Sequence, residues 1–187
     1  QVLGHPAADQ PEFRVERDEK QGAVLRLHAK GIQADGIYRA AEIDLTKTPF
    51  INFAWKVEVH PAGQVGTKKS DQAVKVQLDF GRFRLKRRVL SYVFDPSAKS
   101  GRWYGDSSFF AVNRALALDS GSEQLGEWLS HSRNVQQDYR RIYRADPPIL
   151  ENISIFCDSN DSDSEAIGYC SEITFSKEPL HKTSDSR

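Results

Sequence analysis

The chain has 187 residues, and its 26 lysines and arginines balance its 26 aspartates and glutamates, so the formal net charge is zero. This balance excludes the basic excess that is typical of nucleic-acid-binding proteins, and no apolar run approaches the ~18 residues that a transmembrane helix needs. The length suits one domain with its own core. We therefore expect neither a nucleic-acid partner nor a transmembrane segment.

Apolar and polar residues alternate along most of the chain, which is typical of strands with one buried face. The clearest example begins at Val74, with Val76 and Leu78 on the same side and Lys75 and Gln77 on the other. Strands are predicted at 13–16, 23–28, 36–45, 53–60, 74–80, 82–86, 89–94, 109–118, 153–157 and 167–175. About ten strands at this spacing favour a sandwich over parallel βαβ units.

One segment departs from this alternation. Leu125, Trp128, Val135 and Tyr139 recur at helical spacings, and two prolines end the pattern. The predicted fold is all-β and mainly antiparallel, a β-sandwich of jelly-roll type with a short helical insertion around 122–144. The expected domain organisation is an N-terminal extension at 1–12, the β-sandwich at 13–177 and a polar C-terminal tail at 178–187.

The sequence contains no methionine and starts at Gln1. Its first residues have neither a charged n-region nor an apolar h-region, so they are not a signal peptide, but they fit the start that remains after one is removed. A start at an arbitrary boundary is the alternative. We expect a periplasmic or secreted protein. A haem with a methionine ligand from this chain is excluded.

Standard catalytic motifs are absent from the sequence. It has no GxSxG, HExxH, P-loop or GxGxxG motif, and none of its five histidines lies four residues from another. We therefore predict that the protein is not an enzyme and that it has no cofactor, apart from the calcium ion considered below.

A basic stripe begins at Arg82, where five cations occupy seven residues. In a strand, Arg82, Arg84 and Lys86 would share one face with about 7 Å between neighbours. Such a stripe suits a polyanion, for example an acidic polysaccharide, a phosphate-bearing surface or a partner subunit. The alternative is a solvated outer face that protects a sheet edge.

Two cysteines, Cys157 and Cys170, fall on successive predicted strands. In an exported protein a disulfide between them would stabilise the fold by roughly 3 kcal/mol. However, Cys157 shares a face with Ile155, whereas Cys170 shares a face with Glu172, and a hairpin disulfide needs both on one face unless a bulge intervenes. Bonded and free states both stay open.

The loop between these strands, 158–165, is rich in the oxygen ligands that calcium prefers. The candidate ligands are Asp158, Asn160, Asp161 and Asp163. The loop lacks the central glycine and the final glutamate of an EF-hand, and a polar hairpin with Asx turns is the alternative.

Aromatic rings suit the apolar faces of sugars. Trp103 and Tyr104 lie in a turn-like stretch between glycines, so we expect them to be exposed and to offer a platform for sugar stacking. Trp55 is in phase with core residues, and we expect it to be buried.

The run Ser132–Tyr139 (SRNVQQDY) resembles a motif of a bacterial secreted family of unknown function. Members of that family also have a Trp-bearing strand after a proline, here the strand of Trp55, and an Asp before a long strand, here Asp71. Their late acidic turn has the form Asp-Thr-Asp-Asn-Thr, which in this chain reads Asp-Ser-Asn-Asp-Ser from Asp158. The similarity in order and spacing extends over most of the chain.

The resemblance implies a single exported β-sandwich with no established enzyme activity. It also implies that six residues act together: Trp55, Asp71, Arg133, Asn134, Asp138 and Asp158. Arg133 could bind Asp71 or Asp158 through two hydrogen bonds and hold the helical insertion on the sheet, or the same cluster in a cleft could bind a ligand. The candidate ligand-binding residues are Trp103, Tyr104, Asp71, Arg133, Asn134 and Asp138.

Three functions follow from these observations. The main prediction is a non-catalytic exported module that binds a carbohydrate or an envelope protein. The first alternative is an accessory subunit of a larger envelope or redox complex. The second is a polysaccharide-active enzyme with a carboxylate pair drawn from Asp71, Asp138, Asp158 or Asp161.

Overall fold

The computed structural model describes residues 12–62, 71–80 and 86–180 of the chain, without the side chains of 33–41. In these ranges the chain forms twelve strands and one helix. They are β1 (Glu12–Asp18), β2 (Gly22–Lys30), β3 (Gln33–Ile43), β4 (Phe50–Val59), β5 (Gln72–Phe80), β6 (Arg87–Asp95), β7 (Trp103–Tyr104), β8 (Ala111–Ser120), β9 (Leu129–Asn134), α1 (Val135–Tyr143), β10 (Leu150–Asp158), β11 (Glu165–Ser171) and β12 (Thr174–Ser176).

The strands form two sheets of six that pack face to face. The first sheet has the order β1-β2-β11-β4-β12, and β9 also pairs with β4. The second sheet has the order β3-β10-β5-β6-β8-β7. The pairs are antiparallel except for β6 and β8, which run parallel. The predicted all-β sandwich of jelly-roll type is therefore confirmed.

The core lies between the sheets, as the alternation of each strand requires. Phe53 and Trp55 enter it from the first sheet, and Tyr92 and Phe94 from the second, all at most 1% exposed. The sheets approach each other closely at Gly168 of β11, where a Cβ atom would lie 2.5 Å from the carbonyl oxygen of Ala73. Any larger residue at 168 would push the two sheets apart.

The helical insertion is shorter than the sequence predicts. Only residues 135–143 are helical, because the preceding strand β9 pairs with β4 from Phe50 to Trp55. Backbone pairing with an established sheet outweighs the helical spacing of the apolar residues. The helix begins at the cap Asn134 and ends at Arg144, which takes a left-handed conformation with φ of 53°.

Two further local predictions were wrong. Residues 103–104 are a short edge strand paired with β8 and not a turn. The successive strands β10 and β11 do not form a hairpin, because β10 pairs with β3 and β5 while β11 pairs with β2 and β4. Cys157 and Cys170 therefore belong to different sheets, and both are buried free thiols.

No helix among the described residues has the length and apolar character needed to cross a bilayer.

Candidate functional site: a polar groove on the second sheet

The motif residues Arg133 and Asp138 lie inside the sandwich. Arg133 donates from Nη2 to Oδ1 of Asp138 at 2.7 Å and from Nε to Oδ2 at 3.1 Å. Tyr92 donates its hydroxyl to the same Oδ2 at 2.8 Å. Arg133 thus makes the expected two bonds to a carboxylate, but its partner is Asp138 and not Asp71 or Asp158. This cluster fixes the start of α1 against the core, since Asn134 caps the helix by accepting from the Gln137 amide at 3.0 Å.

Asp71 is fully buried, and its carboxylate binds the acidic turn that begins at Asp158. Its carboxylate accepts hydrogen bonds from the backbone amides of Asp161 at 3.2 Å and Ser162 at 2.8 Å, and from the Ser162 hydroxyl. With its oxygens used in this way, Asp71 holds the β10–β11 connection to the start of β5. We interpret its role as structural.

Trp55 belongs to a third group of hydrogen bonds, separate from those of Arg133 and Asp71. Its indole Nε1 donates to Oδ2 of Asp119 at 2.6 Å, and Nε2 of His131 lies 2.7 Å from the same oxygen. This contact joins β4 and β9 of the first sheet to β8 of the second. The six residues that the resemblance groups together are therefore divided among separate parts of the molecule.

The candidate calcium ligands do not converge. Asp158 is buried at the end of β10, whereas Asn160, Asp161 and Asp163 are exposed. Among residues 12–62, 71–80 and 86–180, no three His, Cys, Asp or Glu side chains are grouped so that they could hold a metal ion. Calcium binding by this turn stays a prediction.

The two residues of the predicted aromatic platform lie in different surroundings. Trp103 and Tyr104 are both half-buried. Trp103 packs against the main core, whereas Tyr104 points to the outer side of the second sheet and donates its hydroxyl to Oδ2 of Asp95 at 2.5 Å. Tyr104 is thus the member of the pair that a ligand on the outer surface would meet.

Two of the three residues of the basic stripe, Arg82 and Arg84, lie outside the described residues. The third, Lys86, is exposed and directly precedes β6.

A groove of about 630 Å³ crosses the outer face of the second sheet. Its floor is formed by the residues of β5 and β6 that alternate with core residues, because successive side chains of a strand point to opposite faces. The polar side chains that line it include Lys75, Gln77, Ser91, Tyr104, Asn113 and Arg114. Apolar surface between them comes from Val89, Val93 and Ala115.

One end of the groove carries an ion pair. Arg87 of β6 donates from Nε to Oδ1 of Asp79 at 2.7 Å, and its Nη2 contacts the other carboxylate oxygen. The hydrogen bond that Arg87 donates to Asp79 raises the pKa of Arg87, against the effect of partial burial. This pair is neutral as a unit and fixes the position of both side chains.

The other end carries a buried lysine. The Nζ atom of Lys75 lies 4.7 Å from the centre of the Phe156 ring. Burial lowers the pKa of Lys75, and the charges of Asp158 and Asp71 oppose this shift. Burial also raises the pKa of Asp158, which the positive charge of Lys75 opposes. A carboxyl group whose proton is retained to higher pH can serve as a general acid.

The outer face of the first sheet is different. Lys56 lies 4.2 Å from the centre of the Tyr169 ring and bonds Glu58 at 2.8 Å. Arg26 lies 3.3 Å from Glu12. These two cations are therefore matched by carboxylates of the same face.

A second cavity of about 650 Å³ opens between the edges of the two sheets. It is lined mainly by apolar side chains, including Leu25, Ile153, Ile155, Ile173 and Phe175. It offers few partners to a ligand rich in hydroxyl groups. The outer groove is therefore the candidate site for a polar ligand.

Sequence reasoning named Tyr104 but missed the other groove residues. The sequence does predict that the polar row Lys75-Gln77-Asp79 forms the outward face of a strand. This alternation was the local signal for part of the groove. The position of Arg114 and Asn113 beside this row depends on the parallel pairing of β8 with β6, which no local pattern indicates.

Residues 5–174 match the model of a family described as "Protein of unknown function (DUF3047)". The chain belongs to this family. The expected membership in an uncharacterised family is thus confirmed, while the secretion and the motifs that we assigned to it stay expectations. No curated protein matches the chain in sequence.

Solved structures share the fold. The endoglucanase 3 of Trichoderma harzianum, from family GH12, has a TM-score of 0.50 with 7% identity, over 91% of this chain and 100% of that chain. The xyloglucanase domain of NopAA from Sinorhizobium fredii, solved in complex with cellobiose, has a TM-score of 0.50 with 8% identity, over 92% of this chain and 91% of that one.

These two neighbours correct the functional prediction. We predicted a non-catalytic module and no enzyme, but both matched structures are enzymes that share this sandwich over nearly its whole length. The prediction of a non-catalytic module was therefore wrong. It rested on the absence of short catalytic motifs, and a sandwich can carry a catalytic site whose residues come from different strands and leave no such motif.

Proposed function

We propose that the protein is a polysaccharide-active enzyme that binds its substrate along the outer groove of the second sheet. The observation that carries the proposal is the groove itself, an open polar channel on a sheet whose opposite face is a closed core. The likeness of the fold to an endoglucanase and a xyloglucanase domain supports the choice of substrate class.

The groove has the chemistry that a sugar chain requires. Gln77, Asn113 and Ser91 offer hydrogen-bond donors and acceptors to hydroxyl groups. Val93 and Ala115 offer small apolar patches to the faces of sugar rings. The open form lets a polymer pass through, so an internal bond of the chain can reach the site.

The proposed reaction is hydrolysis of a glycosidic bond. A carboxylic acid gives its proton to the leaving oxygen, and a carboxylate takes a proton from the water that adds to the sugar carbon. The proton then sits on the second carboxyl group, and proton exchange with solvent water restores the starting pair. Asp158 is our candidate acid, because burial raises its pKa and it pairs in register with Gln72, which lines the groove. Asp161 is the candidate for the carboxylate, because its negative charge acts on Asp158 and adds to the effect of burial on the pKa of that carboxyl.

Asp71 and Asp138, which the sequence also offered for this role, are not part of the proposal. Their oxygens are engaged with the acidic turn and with Arg133 and Tyr92, respectively. Asp161 differs from these two, because its contact with Asp71 is made by its backbone amide and its side chain is exposed.

The test is product analysis by mass spectrometry after incubation with a panel of neutral and acidic polysaccharides. We expect shortened chains from at least one polysaccharide, and a loss of rate of about 10²-fold or more in Asp158→Asn, the size of a typical general-acid effect. Asp161→Asn tests the partner carboxylate. The matched control is Asp146→Asn, an exposed carboxylate paired with Arg140 on the helix side.

Failure to shorten any polysaccharide of the panel would contradict the proposal. So would an Asp158→Asn variant that is as active as the Asp146→Asn control.

The location is also a proposal. Polysaccharides of the envelope and the surroundings are met outside the cytoplasm, which supports a periplasmic or secreted site of action in the bacterial cell. Fractionation of the native host followed by immunoblotting tests this, and recovery of the protein in the cytoplasmic fraction alone would contradict it.

A further inference from the structure

Two cations of the groove lack a carboxylate partner. Arg114 donates from Nη1 to the backbone carbonyl oxygens of Asp106 and Asn113, each at 2.7 Å, and from Nη2 to the Ser107 hydroxyl at 3.3 Å. All three acceptors are neutral. In the part of the chain that the structure describes, no carboxylate oxygen lies within salt-bridge distance of Arg114 or of the Lys75 ammonium.

This arrangement differs from that of three other partly buried cations of the two outer faces. Arg87, in the same groove, is neutralised by Asp79, and Lys56 and Arg26 on the other sheet are paired with Glu58 and Glu12. A half-buried cation without a salt bridge is costly, and Asp158 and Asp71 offset only part of the effect of burial on Lys75. A ligand that brings a negative charge would remove this cost at both positions.

The two cations are too far apart for one small anion. Lys75 pairs with Val93, and Val93 pairs with Ala117, three residues from Arg114. Two strand spacings and three residues of rise separate the Cα atoms of Lys75 and Arg114 by roughly 14 Å. A ligand that meets both must carry its charges at intervals along an extended chain.

We propose that the substrate of the groove is an anionic polysaccharide, whose acidic groups bind the Lys75 ammonium and the Arg114 guanidinium. This inference rests on the proposed function, and it specifies the substrate class. Carboxylates of uronic acids and sulfate esters share the required charge. Guanidinium can bind either group through two hydrogen bonds, and the lysine acts as a point charge.

The experiment measures binding of three oligosaccharide sets by isothermal titration calorimetry: oligogalacturonate, a sulfated glucan oligomer and neutral cello-oligosaccharides. We expect an acidic set to bind at least tenfold more tightly than the neutral one, with the preference falling at high salt. Preference for galacturonate identifies carboxylate as the recognised group, and preference for the sulfated oligomer identifies sulfate.

Two variants and two matched controls locate the effect. Lys75→Met and Arg114→Gln should each weaken binding of the acidic oligomer by about tenfold or more, the usual cost of losing a hydrogen bond to a charged group. Lys56→Met and Arg140→Gln, which remove paired cations elsewhere, should leave binding unchanged. Thermal melting confirms that each variant is folded.

Equal or tighter binding of the neutral set, or full binding by folded Lys75→Met and Arg114→Gln proteins, would overturn the inference. If neutral chains are cleaved while acidic chains are not bound, the proposed function stands and this inference alone fails. If no polysaccharide is bound or cleaved, both fail.

Discussion

The interior cluster of Arg133, Asp138 and Tyr92 and the outer groove both concentrate charged and polar side chains, but they use them differently. In the cluster, Asp138 takes two hydrogen bonds from Arg133 and one from Tyr92. In the groove, Lys75 contacts an aromatic ring and Arg114 contacts neutral oxygens. The cluster is satisfied from within the protein, whereas the groove has charge available for a ligand.

The difference explains why the recognisable motif and the proposed site lie in different parts of the molecule. The motif residues Arg133, Asn134 and Asp138 are consecutive or one helical turn apart, because they build a local cap and a local ion pair. A groove on a sheet takes alternate residues from several strands. Its members are therefore spread through the sequence and form no motif.

The largest expected effect is the slow reaction of the two buried cysteine thiols with thiol reagents. Burial raises the pKa of Cys157 and of Cys170 to about 12, so almost no thiolate exists near neutral pH. Both thiols should react about a thousandfold more slowly with a disulfide reagent in the native protein than in denaturant. Intact mass measured after alkylation in denaturant should show two free thiols, and a mass that indicates a disulfide would contradict the structure.

The next effect separates the cluster from the groove. Asp138→Asn leaves Arg133 without its partner, so the free energy of unfolding should fall by about 3 kcal/mol, as for other broken buried ion pairs. Urea denaturation measures this. The folded variant should bind an acidic oligosaccharide like the wild type. A stable variant with weakened binding would mean that the cluster belongs to the ligand site.

A smaller loss is expected from the helix cap. Asn134→Ala removes the acceptor for the Gln137 amide and should lower the free energy of unfolding by about 1 kcal/mol. Asn134→Asp, which retains the acceptor, is the matched control and should lose much less. An equal loss in both variants would show that the cap bond is not responsible.

The smallest expected effect is the contribution of Asp158, at the end of the groove, to the pH dependence of stability. Because the pKa of Asp158 is raised in the folded state, the native protein binds more protons than the unfolded chain above the ordinary Asp range, and its stability falls as pH rises through that window. Asp158→Asn has no titrating carboxyl group at this position, so it lacks this pH-dependent loss of stability. Relative to the wild type, the variant should therefore gain stability from about pH 4 upward.

Thermal melting from pH 3 to pH 7 measures this difference. In a chain that retains Asp158, Lys75→Met should enlarge the loss of stability with rising pH. The positive charge of Lys75 then no longer opposes the raised pKa of Asp158. A difference between wild type and Asp158→Asn that grows toward low pH would contradict the assigned direction.

Much of the fold could be predicted from the sequence, and the reason is local. Alternation such as Val74-Lys75-Val76-Gln77 identifies a strand and tells which side chains face the core. The same alternation could not tell which strands are neighbours. The placement of β10 and β11 in different sheets, and the parallel pair β6–β8, are set by long-range packing, so the groove that these pairings create could not be foreseen.

The helix prediction failed for a related reason. Leu125 and Leu129 have helical spacing, but residues 129–134 gain a full row of backbone hydrogen bonds from β4. Periodicity records which residues are buried, and both arrangements bury these side chains. The cap Asn134 was the local signal that marked the true start of the helix.

The most direct test of the central claim, that the groove binds a polysaccharide, is amide chemical-shift mapping of the 21.1 kDa protein during titration with an acidic oligosaccharide. The account predicts that the shifts concentrate on β5, β6 and β8 around Lys75, Ser91 and Asn113. Shifts confined to the Lys56 face of the first sheet or to the apolar cavity near Ile153, or no shifts with any oligosaccharide, would contradict it.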